Sequence, residues 1–275
     1  MNKVWLITGA NSGFGRAIAK AAVDAGDVVV ASARRIETLD DLVAAHPGQV
    51  DALALDVTDG PGIDAAVRDV LARHGRIDVL VNNAGRTHVG AVEETGDEEL
   101  RSLFEVHFFG PAALIRAVLP HMRERHTGAI VQLSSMGGQL SFAGFSAYSA
   151  TKFALEGLSE ALADEVGRFG IKVLVVEPGA FRTGLFANAT GSAESKAYAD
   201  SVGATRTMVQ SGDGAQGGDP AKAAAAILAA LDAEKTPLRL PLGGDAVDAI
   251  LTHLDTVRTD LRTWEKTARA TAFDD

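Results

Sequence analysis

Short apolar runs alternate with alanine-rich helical stretches along most of the chain, and this rhythm constrains the fold more than any other feature. Strand-like segments fall near residues 3–7, 27–32, 50–55, 77–81, 128–134, 171–176 and 238–242. Helical patterns fit 13–25, 36–45, 61–74, 97–105, 107–124, 147–168, 220–233 and 245–256. Strands separated by helices must pair in parallel, because each crossover carries a helix. Runs such as Val28-Val29-Val30-Ala31 and Val173-Leu174-Val175-Val176 have no polar face, the pattern of a sheet covered on both sides. The prediction is an α/β fold: a Rossmann-type doubly wound parallel sheet of about seven strands flanked by helices. A length of 275 residues fits a single domain over 1–275, and 47% hydrophobic residues supply its core.

Charge and composition narrow the partners. The net charge of −10 repels nucleic acid and anionic membrane surfaces, so neither is expected to bind. The absence of cysteine removes disulfide and thiolate chemistry. No signal-peptide pattern precedes Val4-Trp5-Leu6-Ile7, and no apolar run approaches about 20 residues, so a cytoplasmic protein without a membrane span is expected. No histidine has a partner at chelating spacing, so no metal is expected.

Residues 184–218 break the rhythm. They lack a clear apolar period and end in Ser211-Gly-Asp-Gly-Ala-Gln-Gly-Gly218, a flexible composition that predicts a substrate-covering loop. Asp219-Pro220 restarts a helix with proline at its first position. Thr95-Gly96-Asp97-Glu98 reads as a capping box.

Several clusters carry chemistry. Tyr148 and Lys152 stand four residues apart, on one helical face. A nearby ammonium is expected to lower the phenol pKa, making Tyr148 a candidate general acid/base. Ser134 and Ser135 end an apolar run just upstream. Thr8-Gly9-Ala-Asn11-Ser12-Gly13-Phe14-Gly15 links the first strand to the first helix, where glycines permit close approach to a pyrophosphate and helix N–H groups face the anion. The second strand runs into Ser32-Ala33-Arg34-Arg35 with no acidic residue. That favours a 2′-phosphate, and hence NADP, over the ribose hydroxyl of NAD. Asp56 could accept from an adenine amine or cap the following segment.

These pieces together resemble the short-chain dehydrogenase/reductase family. The matching elements are Thr8-Gly9-x-x-x-Gly13-x-Gly15, Asn82-Asn83-Ala84-Gly85, Ser135, Tyr148-x-x-x-Lys152 and Pro178-Gly179, in the family's order across roughly residues 3–185. The resemblance implies that Ser135 binds the reacting oxygen, Tyr148 moves the proton and Lys152 binds the nicotinamide ribose. It also implies a phosphate cradle from Gly9, Ser12, Phe14 and Gly15, cofactor contacts from Asn11 and Gly13 in the same turn, and Ser12 and Arg34 near the 2′-phosphate. Asp56 and Val57 would contact adenine, Asn83, Ala84 and Gly85 the adjacent ribose and ring, and Pro178, Gly179 and Thr183 the carboxamide side.

One position departs from the family. An asparagine that helps hold a relay water is replaced by His107, which could continue the relay or simply pack near the site. His88 is expected mainly at the surface. Phe142, Phe145, Phe181 and Phe186 are candidates for an apolar substrate pocket. The function these features imply is an NADP-dependent oxidoreductase, with NAD possible, that interconverts a fairly apolar ketone or aldehyde with its alcohol. A homo-oligomer is expected from the family resemblance. The rivals are an NAD-linked alcohol dehydrogenase and a non-catalytic nucleotide-sensing regulator.

Overall fold

A computed structural model describes residues 2–273. Seven strands form one parallel sheet: β1 (Val4–Thr8), β2 (Val28–Ala33), β3 (Val50–Ala54), β4 (Val79–Asn82), β6 (Gly128–Leu133), β7 (Ile171–Pro178) and β9 (Arg239–Leu242). Their order is β3-β2-β1-β4-β6-β7-β9. The strand order reverses between β1 and β4, which opens a crevice at their carboxyl ends, the place where such sheets bind ligands. The predicted Rossmann-type architecture is therefore the observed one.

The helices divide between the two faces. Helices α1 (Gly13–Asp24) and α8 (Pro220–Asp232) pack on one side, where Trp5, Ile18, Val29, Val131 and Ile227 share a core. Helices α3 (Gly60–His74), α5 (Gly110–Arg125) and α6 (Ser146–Val166) cover the other, around Leu6, Val30, Leu80, Leu114 and Ile130. Alternate residues of one strand, such as Leu6 and Ile7, thus enter different cores. A short helix α2 (Asp40–Ala45) lies between β2 and β3.

Helix α4 (Asp97–Phe104) runs into α5 through one wide π-type turn, Glu105–Phe109. Pro111 lacks the N–H that an α-helix would send to the His107 carbonyl, which loosens the ladder there. The joined helix, Asp97–Arg125, is long and apolar enough by length and composition alone to cross a membrane. Here it packs on the sheet, with Leu103, Leu114, Val118 and Met122 buried. The α4 N-terminus is Gly96, whose N–H donates to Glu99 Oε2 at 2.8 Å, so the reciprocal acid of the capping motif is Glu99.

The segment 184–218 is not the unstructured loop its composition suggested. It contains β8 (Thr190–Gly191) and α7 (Ala199–Ser211), and β8 pairs in parallel with β5 (His88–Val89). Val202 and Val209 of α7 pack against Val89 and Ala91. The apolar period was hidden because only two valines of α7 are buried. Polar tethers do much of the rest: Arg206 bridges Glu94 at 2.7 Å, and Ser192 Oγ donates to Glu99 at 3.0 Å. His88 is buried in this joint rather than exposed. Its ring nitrogens lie 2.9 Å from Thr190 Oγ1 and 2.8 Å from Ser192 Oγ. A strand pairing with a distant segment is what buried it. Pro220 opens α8 as predicted, and Asp219 caps it, accepting from Ala221 N at 2.8 Å. The last helix, α9 (Gly244–Arg269), continues well past the predicted boundary at 256.

Candidate active site

The site is assembled at the carboxyl ends of β1, β4, β6 and β7. Between β1 and α1 the chain turns through Gly9 and Gly13, at φ +64° and +52°, a region other residues enter only with strain. Gly15 has a different reason to be glycine: a Cβ there would lie 2.5 Å from Asn83 Nδ2. Ser12 precedes α1 without capping it through its side chain, and no acidic residue occupies the first turn. The helix start thus retains its donors and its positive end for an anion. Thr183 closes over the turn, since a Cβ on Gly13 would lie 3.0 Å from the Thr183 Cβ. Phe14 packs on Phe181 with the rings tilted and their centroids 5.1 Å apart.

Asn83 braces this turn from below. Its amide Nδ2 donates to Thr8 O at 2.8 Å and to Gly9 O at 3.1 Å, while its backbone N–H donates to Thr8 Oγ1 at 2.9 Å. Both hydrogens of the side-chain amide are thereby spent within the protein. Ala84 N also donates to Thr8 Oγ1, at 3.0 Å. Thr8 opens the glycine motif in the sequence but was given no role there, and it ties the ends of β1 and β4 together. Asp56 performs the capping alternative: its Oδ1 accepts from Thr58 N at 2.9 Å and Thr58 Oγ1 at 2.8 Å. These bonds, chiefly the backbone one, lower its pKa, with a smaller contribution from Arg34. Val57 is buried next to it. Gly85 faces the His107 ring, for a Cβ there would meet Nε2 at 3.2 Å. At the end of β7, Gly179 N donates to Leu242 O at 2.9 Å after Pro178. Asp245 approaches from α9 and accepts from Ala180 N at 2.7 Å.

Ser135, Tyr148 and Lys152 converge. Ser135 leaves β6 in extended backbone and accepts from Gly137 N at 3.0 Å, which orients its hydroxyl. That hydroxyl lies beside Tyr148, and its polar influence favours the phenolate. Burial acts more strongly the other way and pushes the Tyr148 pKa up. The sequence expectation of a tyrosine made acidic by its lysine is therefore not met by the protein alone. Lys152 Nζ lies 5.7 Å from the phenol ring centroid and donates to Leu133 O at 2.8 Å. Its own pKa falls to about 8, because burial penalises the ammonium more than Glu156, one turn along, supports it.

His107 stands edge-on to the Tyr148 ring at 5.7 Å, and it is buried. Its Nε2 accepts from Arg86 N at 3.1 Å, and its Nδ1 lies 2.8 Å from Thr151 Oγ1. Thr151 gives its own proton to Tyr148 O at 2.7 Å. The consistent arrangement is a neutral ring protonated on Nδ1, donating to Thr151. Burial, with the Lys152 charge second, holds its pKa far below the ordinary histidine value. With both nitrogens engaged, the ring has no atom left for the relay considered from sequence. Thr151 was missed there, although it precedes Lys152 directly.

The four phenylalanines do not form one wall. Phe145 packs on Tyr148 at 6.0 Å, Phe181 sits by the glycine turn and Phe186 joins the α7 cluster, while Phe142 is 47% exposed. Beyond Lys152, Glu156 and Glu177 are buried around Arg239 Nε, at 3.2 and 3.4 Å. Burial raises both carboxyl pKa values. Among the described residues no group of acids and histidines is arranged to hold a metal ion.

Comparison with known proteins agrees with this geometry. The family description "short chain dehydrogenase" matches residues 3–194. The chain is 37% identical to "Oxidoreductase BOA17" of Botryotinia fuckeliana, over 99% of this chain and 100% of that protein. It is also 37% identical to a 3-ketodihydrosphingosine reductase of Bacteroides thetaiotaomicron, over 88% of each. A crystal structure of a short-chain dehydrogenase from Streptomyces avermitilis superposes with a TM-score of 0.94, at 67% identity and 98% coverage of both chains. More distant structures include ElxO with NADP bound, at 25% identity and TM-score 0.75 (90% and 100% coverage), and a Brucella melitensis 3-ketoacyl-(acyl-carrier-protein) reductase with NADH, at 27% and 0.76 (89% and 98%). The chain belongs to the short-chain dehydrogenase/reductase family of oxidoreductases.

Proposed function

We propose that the protein is an NADP-dependent oxidoreductase interconverting a ketone or aldehyde with its alcohol, on a fairly apolar substrate. The observation that carries this reading is the convergence of Ser135, Tyr148 and Lys152, whose Nζ lies 5.7 Å from the phenol ring, beside an anion-ready glycine turn.

The residues present fit a dinucleotide. The uncapped start of α1 and the positive-φ turn at Gly9 and Gly13 suit its pyrophosphate. Arg34, at the end of β2, suits a 2′-phosphate. When bound, the nicotinamide supplies or accepts the hydride. The chain's own residues handle the oxygen and its proton. Ser135 holds the carbonyl oxygen. Tyr148 Oη gives it a proton in reduction and takes one back in oxidation. Lys152, with a pKa of about 8, is mostly cationic at neutral pH and stabilises the phenolate left on Tyr148. His107 and Thr151 act as positioning residues, joining the backbone of Tyr148 to that of Arg86.

The apolar-substrate reading is supported by Phe145 against Tyr148 and the apolar α7 cluster nearby, and by the long-chain ketone named in one relative. A panel of carbonyl compounds assayed with NADPH and with NADH tests it. Turnover of lipophilic ketones with NADPH is expected. Consumption of neither cofactor across the panel would leave the sensing-regulator alternative in its place.

A further inference from the structure

Helix α9 outruns the body of the protein. Ala246 and Ile250 are its only buried residues, and from Leu254 to Arg269 every residue is exposed. At a rise of 1.5 Å per residue that stretch projects roughly 24 Å. Such a helix is marginal in water without packing.

Its sequence specifies what packs on it. Val247, Ile250, Leu254, Val257, Leu261 and Trp264 recur at intervals of three and four, the spacing of a coiled-coil seam. Apart from Ile250, these side chains are between 40% and 68% exposed. The far face carries Thr252, Thr256, Thr259 and Thr263, each donating to the carbonyl four residues back. Asp248, Asp255, Arg262 and Arg269 flank them with both signs of charge. A mixed face on a chain of net charge −10 does not suit an anionic bilayer, which favours a basic one.

Charge also fixes the orientation. Residues 244–256 carry three acids, Asp245, Asp248 and Asp255, and no lysine or arginine. Residues 257–269 carry four bases, Arg258, Arg262, Lys266 and Arg269, against Asp260 and Glu265. Two copies side by side in parallel would place like halves together, whereas two antiparallel copies place each acidic half against a basic one. The antiparallel arrangement closes with two-fold symmetry. It also directs the Trp264 end of each helix toward a groove of about 390 Å³ at the root of the other, lined partly by Pro241, Val247, Leu251 and Leu254.

We propose that α9 pairs antiparallel with the α9 of a second copy of this chain. Sedimentation equilibrium of the full chain and its variants tests the pairing, with circular dichroism to establish that each variant is folded. Leu261→Glu with Trp264→Glu is expected to halve the assembly mass. Arg258→Glu, Arg262→Glu and Lys266→Glu together should do the same, and adding Asp248→Lys and Asp255→Lys should restore it. A monomeric parent, a mass unmoved by either set, or a charge-reversed variant that is not rescued would overturn the proposal. So would binding of the parent to phosphatidylglycerol vesicles that Leu261→Glu with Trp264→Glu abolishes.

Discussion

Replacing Lys152 by methionine should remove a pH dependence of stability that the buried ammonium imposes. The lysine is 6% exposed, and its pKa is about 8 in the folded protein against 10.5 in the ordinary side chain. Between those values the unfolded chain keeps the proton that the folded chain releases. The unfolded state therefore binds more protons, and folding stability rises with pH across the window. At pH 7 both forms are protonated, and the full cost, about 3 kcal/mol, bears on the folded state. By pH 10 most of it is relieved, leaving a gain of about 2.5 kcal/mol between pH 7 and pH 10. Methionine keeps the apolar stem but has no such term, and the Leu133 carbonyl it leaves unpaired shifts stability equally at both pH values. The assay is urea unfolding of the parent and Lys152→Met at pH 7, 8, 9 and 10, followed by far-UV circular dichroism. The difference between the two proteins should move in favour of the parent by about 2 kcal/mol or more over that range. A constant difference would refute the claim that Lys152 is buried as a strained cation.

Three further outcomes follow from the geometry. Arg34→Ser should raise the Michaelis constant for NADPH by about 10–100-fold, the worth of a charge-assisted contact of roughly 1.5–3 kcal/mol, and leave that for NADH nearly unchanged; equal effects would remove the phosphate role. His107→Leu leaves the Arg86 N–H and Thr151 Oγ1 without their partner, so urea unfolding should show a loss of about 1–3 kcal/mol per unsatisfied group. The parent's kcat should show no titration assignable to this histidine between pH 5.5 and 8, about the ordinary histidine range. If instead a step in the parent's profile vanished in the variant, the ring would be a titrating relay rather than a fixed brace.

The sheet was legible because several of its strands carry continuous apolar runs, such as Val28–Ala31 and Val173–Val176, and each of the seven stands between helical patterns. Gly13 and Gly15 were equally legible, since strand, turn and helix follow one another without a gap. What stayed hidden depended on contacts distant in sequence. Helix α7 shows only Val202 and Val209 to the core, and β8 exists only by pairing with β5, 102 residues away at His88 and Thr190. Thr8 and Thr151 are short polar residues with many possible roles, and only the fold shows which backbone each one ties. The direction of the Tyr148 pKa was missed for a related reason. Spacing reveals that a lysine is near, but not that burial outweighs it or that its nitrogen is turned to Leu133.

The central claim is that the Tyr148 hydroxyl, beside Ser135, moves the proton. Comparing Tyr148→Phe with the parent in both NADPH oxidation with an active ketone and binding of NADPH by fluorescence tests this most directly. Loss of turnover by about 100-fold or more with binding retained is the predicted result. A variant that keeps its rate would contradict the account, because phenylalanine fills the same space and lacks only the oxygen.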